Sequence, residues 1–177
     1  LSTIEATLGV SAYDAADIAV TYPLSAYPSP ALAFAALGTD WLFACPALSV
    51  NQSVSKYVPT YAYEFNDENA PNRFLEPVGF PMGAAHAFEV QYLFDLPRSP
   101  FPGTLSSDQE KLQQTMLSYW THFAKRGFPS TARTPLWPRF ETTAHRVQSL
   151  VPPSPQIETD FATEHNCAFW AEIGSGR

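Results

Sequence analysis

The sequence predicts an α/β chain in which an incomplete central sheet is flanked by helices. Three observations carry that expectation. Tyr61, Tyr63 and Phe65 alternate with Thr60, Ala62 and Glu64, so both faces of a short strand are largely apolar, as in a sheet covered on each side. From Ser106 to Arg126 the apolar residues Leu112, Met116, Tyr119, Trp120 and Phe123 fall on one helical face. Charged residues make up only 15% of the 177 residues, against roughly 25% in a typical soluble domain. So little charge suggests surface meant to be buried against more protein. A Pro-rich secreted domain of low charge is the competing reading.

Taken in order, Tyr13 to Tyr22 reads as a short helix with Asp14 and Asp17 in its first turns and Pro23 as its stop. Pro28-Ser29-Pro30 is a turn. Ala31 to Val50 is Ala-rich and apolar at helical spacing, and Gly38 and Pro46 divide it into two expected helices. Asn66 to Pro81 is expected to be loop, with Pro77, Gly79 and Pro81 at its end. For the long helix, Ser106 with Gln109 or Ser107 with Glu110 could form a capping box, and Gly127 suits the C′ position. Arg146–Val151 and Gln156–Phe161 read as short strands around Pro152-Pro153, and Phe161–Ile173 as a final helix carrying Cys167. Trp120, Phe123, Trp137, Phe169 and Trp170 are expected in the core.

Composition bounds the function. The net charge is −7 and no Lys/Arg cluster exists, so nucleic acid is not an expected partner. The longest apolar stretches, such as Ala31–Ala36, are too short to span a bilayer, so no membrane span is expected. No signal-peptide pattern stands at the N-terminus, and more sequence is expected upstream of Leu1. Cys45 and Cys167 are the two cysteines; free core thiols and one bridge are both open. Asn51-Gln52-Ser53 fits a glycosylation sequon. His122, His145 and His165 lack the paired spacing of a metal site and no CxxC occurs, so neither metal nor cofactor is implied.

The stretch from Gly83 to Phe94, reading GAAHAFEVQYLF, is the most pointed signal. His86 sits in a small-residue turn after a Pro/Gly-rich loop and before an apolar run. Serine hydrolases need an imidazole held on a loop within reach of a nucleophile. No GxSxG turn, the usual seat of the nucleophile, occurs in the chain.

That stretch and five others, in register, are similar to blocks of the type-B carboxylesterases. These α/β-hydrolases include the cholinesterases and para-nitrobenzyl esterases. Thr39 to Pro46 (TDWLFACP) resembles the family's D-x-x-F-x-C-P, and Thr60 to Phe65 (TYAYEF) its Y-x-Y-x-F strand. Residues 83–94 resemble G-A-x-H-x-x-E-x-x-Y-x-F. Tyr119 to Pro129 (YWTHFAKRGFP) resembles Y-W-x-x-F-A-K-x-G-x-P-N, Leu136 to Phe140 resembles W-P-x-Y/F, and Cys167 to Trp170 resembles C-x-F-W. Ala87 stands where the family often has Gly, and Ser130 where it has Asn.

The resemblance implies the C-terminal part of an α/β-hydrolase fold, with residues 1–177 as one segment whose N-terminal part is missing. It implies His86 as the general base of ester hydrolysis, and Glu89 as a buried acid near the histidine rather than the triad acid. A helix-start carboxylate is the alternative for Glu89. Serine nucleophile, oxyanion loop and triad acid are expected upstream, with Asp40 and Glu64 as weaker in-chain candidates for the acid. Phe80, Pro81 and Met82 could line an acyl or alcohol pocket, or be simple loop packing. In many extracellular members cysteines at these two blocks pair, which implies a Cys45–Cys167 bridge and a secreted or extracytoplasmic location. The implied partners are the missing N-terminal part and a small-molecule ester. A non-catalytic adhesion protein of the same fold and a lipase of the same family remain alternatives, because fold does not set function.

Overall fold

Ser11 and Ser29 show how the N-terminal helices begin. In the computed structural model, which describes residues 1–174, Ser11 Oγ accepts a hydrogen bond from the backbone N–H of Asp14 and opens α2 (Ala12–Thr21). Ser29 does the same for Leu32 at the head of α3 (Pro30–Thr39), with Pro30 in the first turn, where its missing N–H costs nothing. A short α1 (Ser2–Leu8) precedes them. The chain divides into two compact units: Leu1–Val50 with the residues from Asp160 onward, and Asn51–Thr159.

In the first unit the expected break within residues 31–50 does not occur. Helix α3 runs through a π-helical turn (Asp40–Ala44) directly into α4 (Cys45–Val54). Gly38 is tolerated inside α3. Pro46 is accommodated because it follows the π turn, where Cys45 N–H bonds to Asp40 C=O and the widened ladder carries a residue without a donor. The outcome is one helical run from Pro30 to Val54, 25 residues long, with a mean hydropathy of 1.5 over its most apolar 18 residues. By length and composition this run could cross a membrane, which corrects the expectation that no apolar stretch was long enough. A core helix passes the same test, and this run carries a buried carboxylate and a disulfide. Cys45 is bonded to Cys167 with the Cα atoms 5.1 Å apart, as the resemblance implied.

The buried carboxylate is Asp40. It accepts from Tyr22 Oη at 2.6 Å, from His165 Nδ1 at 2.7 Å and from Asn166 Nδ2 at 3.3 Å. Trp170 Nε1 donates to the same Tyr22 oxygen at 2.7 Å. Burial, and then the Asp40 hydrogen bond, push the Tyr22 phenol well above its usual range, so it stays a donor. Ile18, Tyr22, Leu37 and Trp170 form the apolar core around this network. We expect Asp40→Asn to turn an amide N–H₂ toward at least one buried donor and to destabilise this unit by about 1–3 kcal/mol in chemical denaturation. An unchanged midpoint would show that the network contributes nothing net. The single final helix expected over Phe161–Ile173 is instead two, α7 (Phe161–Glu164) and α8 (Cys167–Gly174). Asn166 between them has φ 52°, a left-handed conformation that Asn tolerates better than most residues.

The second unit holds the sheet. Strand β1 (Tyr63–Phe65) pairs in parallel with β2 (Val147–Leu150), Tyr63 opposite Gln148 and Phe65 opposite Leu150. Strand β2 pairs antiparallel with β3 (Gln156–Glu158). The third strand is shorter than expected, because Phe161 already starts α7. Two helices cover the sheet's neighbourhood: α5 (Val90–Leu93) and α6 (Ser107–Arg126). Of the two capping boxes open in the sequence, Ser106 with Gln109 is the one formed, and Gly127 ends α6 at φ 77°. Phe88, Tyr92, Leu112, Met116, Tyr119, Trp137 and Leu150 make the core. Burial pushes the Tyr119 phenol up to about 12, and its hydroxyl donates to Pro135 C=O at 2.8 Å. Phe123, expected in the core, is 47% exposed. It lies in the last turns of α6 and packs edge-on against Tyr61, ring centroids 5.9 Å apart. Trp120 and Phe169 are half-buried rather than fully enclosed.

Candidate active-site loop

His86 is exposed and lies in a turn between β1 and α5. The turn forms because small residues precede it and a large apolar one follows. Ala85 C=O accepts from Phe88 N–H at 3.0 Å, and Ala87 C=O from Val90 N–H at 3.2 Å. Phe88 is 2% exposed and drives into the core beside Phe74, so the turn is nailed down on one side while His86 faces outward.

Ala87 pays for this geometry. Its φ is 69°, the left-handed region that disfavours a Cβ by roughly 1–2 kcal/mol. The Gly that the resembling family often places here would avoid that strain. We expect Ala87→Gly to raise stability by about 0.5–1 kcal/mol, the relief being partly offset by greater chain freedom in the unfolded state. A loss of stability in urea denaturation would refute the strain.

The loop from Asn66 to Ala85 has little regular structure, and a few side chains hold it. Asp67, 3% exposed, accepts from Tyr92 Oη and from Gln109 Nε2 at 2.8 Å, while its other oxygen caps the Asn69 N–H at 3.0 Å. Burial, followed by the Asp67 hydrogen bond, pushes the Tyr92 phenol far up, so Tyr92 remains a donor to the carboxylate. Gln109 Nε2 also reaches Asn69 C=O at 3.0 Å. Gln91 Nε2 donates to both Pro71 C=O at 2.9 Å and Phe88 C=O at 3.0 Å. Gly103 lets a neighbouring segment lie against the loop, since a Cβ there would meet Pro71 Cβ at 2.8 Å.

Glu89 is half-buried at the start of α5 and lacks a side-chain cap bond. Burial, and then the Glu89 carboxylate charge, push the Tyr63 phenol on β1 above its ordinary value. Phe80, Pro81 and Met82 line an open cavity of about 670 Å³, with Ala70, Asn72 and Phe88 among its other walls. Of the two in-chain candidates for the acid, Asp40 has both oxygens engaged by Tyr22, His165 and Asn166. Glu64 Oε2 accepts from Asn66 Nδ2 at 3.4 Å. Among the described residues no cluster of three His, Cys, Asp or Glu side chains could hold a metal ion.

Sequence reasoning misses the groups that fasten this loop. Asp67 lies in a stretch that reads only as turn-forming, and its partner Gln109 stands 42 residues further along the chain. Gln91 does leave a signal: a lone amide inside an apolar run is a buried polar group in want of a partner.

Residues 25–170 match the sequence profile of the carboxylesterase family (COesterase). The chain is 31% identical to rat (Rattus norvegicus) acylcarnitine hydrolase over 59% of its length, and 30% identical to human (Homo sapiens) cocaine esterase over 68%. It spans only 18% and 21% of those two relatives. It is also 36% identical to rat bile salt-activated lipase over 57% of its length and 16% of that protein's. Among solved structures, a thermophilic PNB esterase superposes on 89% of the chain with a TM-score of 0.64 and 26% identity, the match covering 32% of that esterase. A second PNB esterase gives 0.61 at the same identity, over 87% of this chain and 29% of the other. The helices and small mixed sheet are therefore part of an α/β-hydrolase fold.

Proposed function

Because the chain belongs to the carboxylesterase family, we propose that it is the histidine-bearing C-terminal segment of a serine carboxylesterase. The observation that carries this reading is the order strand, loop, exposed His86 turn, held by buried anchors on both sides. In that fold the base follows a main strand at its carboxyl end, after the nucleophile and the acid in sequence. The chain spans only about a fifth of the length of the relatives it matches, so the nucleophilic serine, the oxyanion donors and the triad acid are assigned to sequence upstream.

In the complete enzyme His86 takes the proton of the serine hydroxyl as its oxygen bonds to the ester carbonyl carbon. The collapsing intermediate expels the alcohol, which leaves with that proton, and an acyl-serine remains. Water then attacks the acyl carbon, gives its proton to His86, and the serine leaves with it as the acid product departs. Glu89 is assigned a supporting place beside this turn. Phe80 and Met82, on the wall of the cavity, are assigned the acyl or alcohol part of the substrate. The relatives' names join hydrolase, esterase and lipase, so a small carboxylic ester is the proposed substrate class. The Cys45–Cys167 bond supports an oxidising, extracytoplasmic compartment.

The test is complementation. The 177-residue chain alone should not hydrolyse a para-nitrophenyl ester faster than its His86→Ala variant, since no nucleophile or oxyanion donor is in place. Adding the upstream part, fused or as a second chain, should create turnover. Robust turnover by the chain alone would defeat the proposal.

A further inference from the structure

The amide of Gln91 is more than a packing element. Gln91 is 3% exposed, in the first turn of α5 five residues beyond His86. Its Nε2 bridges Pro71 C=O, in the loop that walls the 670 Å³ cavity, and Phe88 C=O, inside the His86 turn. Two carbonyl acceptors at about 3 Å settle which way the amide points: only N–H₂ can face them. The consequence is that Gln91 Oε1 is buried with no hydrogen-bond partner among the described residues. A buried acceptor without a partner forfeits its hydration and is destabilising. An apolar residue in that place would not carry that cost, yet it would leave both carbonyls without a donor and the turn untied from the loop.

We infer that Gln91 is a positioning residue for His86. Its N–H₂ staples the His86 turn to the cavity wall, so that base and substrate pocket keep one fixed spacing. The inference rests on the reading of His86 as the general base. A catalytic group displaced by about 1 Å can lose on the order of 100-fold in rate, while substrate contacts made elsewhere persist.

The experiment is a double-mutant cycle in the complete protein, with para-nitrophenyl acetate as substrate, well below the melting temperature of every variant. Gln91→Met should lower kcat by about 10-fold or more with KM within about 2-fold of wild type, the signature of a loss felt in the transition state. In a His86→Ala background the same change should lower the residual rate no further, because the group it positions is gone. Gln91→Glu keeps the shape and, when protonated, one donor, so its kcat should fall between wild type and Gln91→Met. If Gln91→Met does not fold, the Glu variant carries the same cycle. Wild-type kcat in the substituted enzyme, or an equal fold-loss in both backgrounds, would overturn the inference and leave the base assignment standing. Full activity of His86→Ala itself would instead remove the base assignment.

Discussion

His86→Ala in the complete protein should cut kcat for ester hydrolysis by about 10⁴–10⁶-fold, the range seen when a triad base is removed. The size follows from the role proposed for the imidazole. Without it the serine hydroxyl must lose its proton to water during attack, and the leaving alcohol must depart unprotonated. Remaining activity comes from oxyanion donors and binding alone. Substrate affinity should change little, because His86 projects from an exposed turn rather than from the cavity wall. For the same reason the melting temperature should stay within about a degree or two, as for most exposed positions. Steady-state kinetics with thermal melting of the same samples checks both. Wild-type turnover by a folded His86→Ala enzyme would remove this histidine from the mechanism.

Loss of the Cys45–Cys167 bond should be the largest stability effect. The bond closes a separation of 122 residues, for which the chain-entropy model gives about 4–5 kcal/mol, and measured losses are usually somewhat smaller. The double variant Cys45→Ser, Cys167→Ser should therefore melt on the order of 10 °C lower. Helix α8 should exchange its amide hydrogens faster than α6, since the bond ties α8 to the Pro30–Val54 run. Identical melting of wild type with and without reductant would show that the bond contributes nothing.

Much of this architecture is legible in the amino-acid sequence. The long helix announces itself by a complete set of local signals: Ser106, Gln109, an apolar stripe, Lys125, Arg126 and Gly127. The His86 turn and the cysteine pair can be read because six blocks resemble a known family in order. Pro46 misleads, because a proline's effect depends on the turn before it, and a π turn leaves no mark in composition. Asn166 misleads because a single Asn is a weak breaking signal beside an apolar run, and only its φ shows the break. Phe123 follows the stripe of α6 but lies beyond the reach of the core. The anchors of the loop are not legible at all. Asp67, Tyr92 and Gln109 meet across up to 42 residues of sequence, and no periodicity encodes that meeting.

The disulfide also decides what a protease can accomplish. Every peptide bond from residue 46 to residue 166 lies inside the covalent ring closed by Cys45 and Cys167. A single cut in the loop before His86 opens the ring but releases no fragment. The nicked chain would run as one band on a denaturing gel and as two only after reduction. Two cuts flanking His86 would sever the histidine turn from the chain altogether, whereas one leaves it tethered.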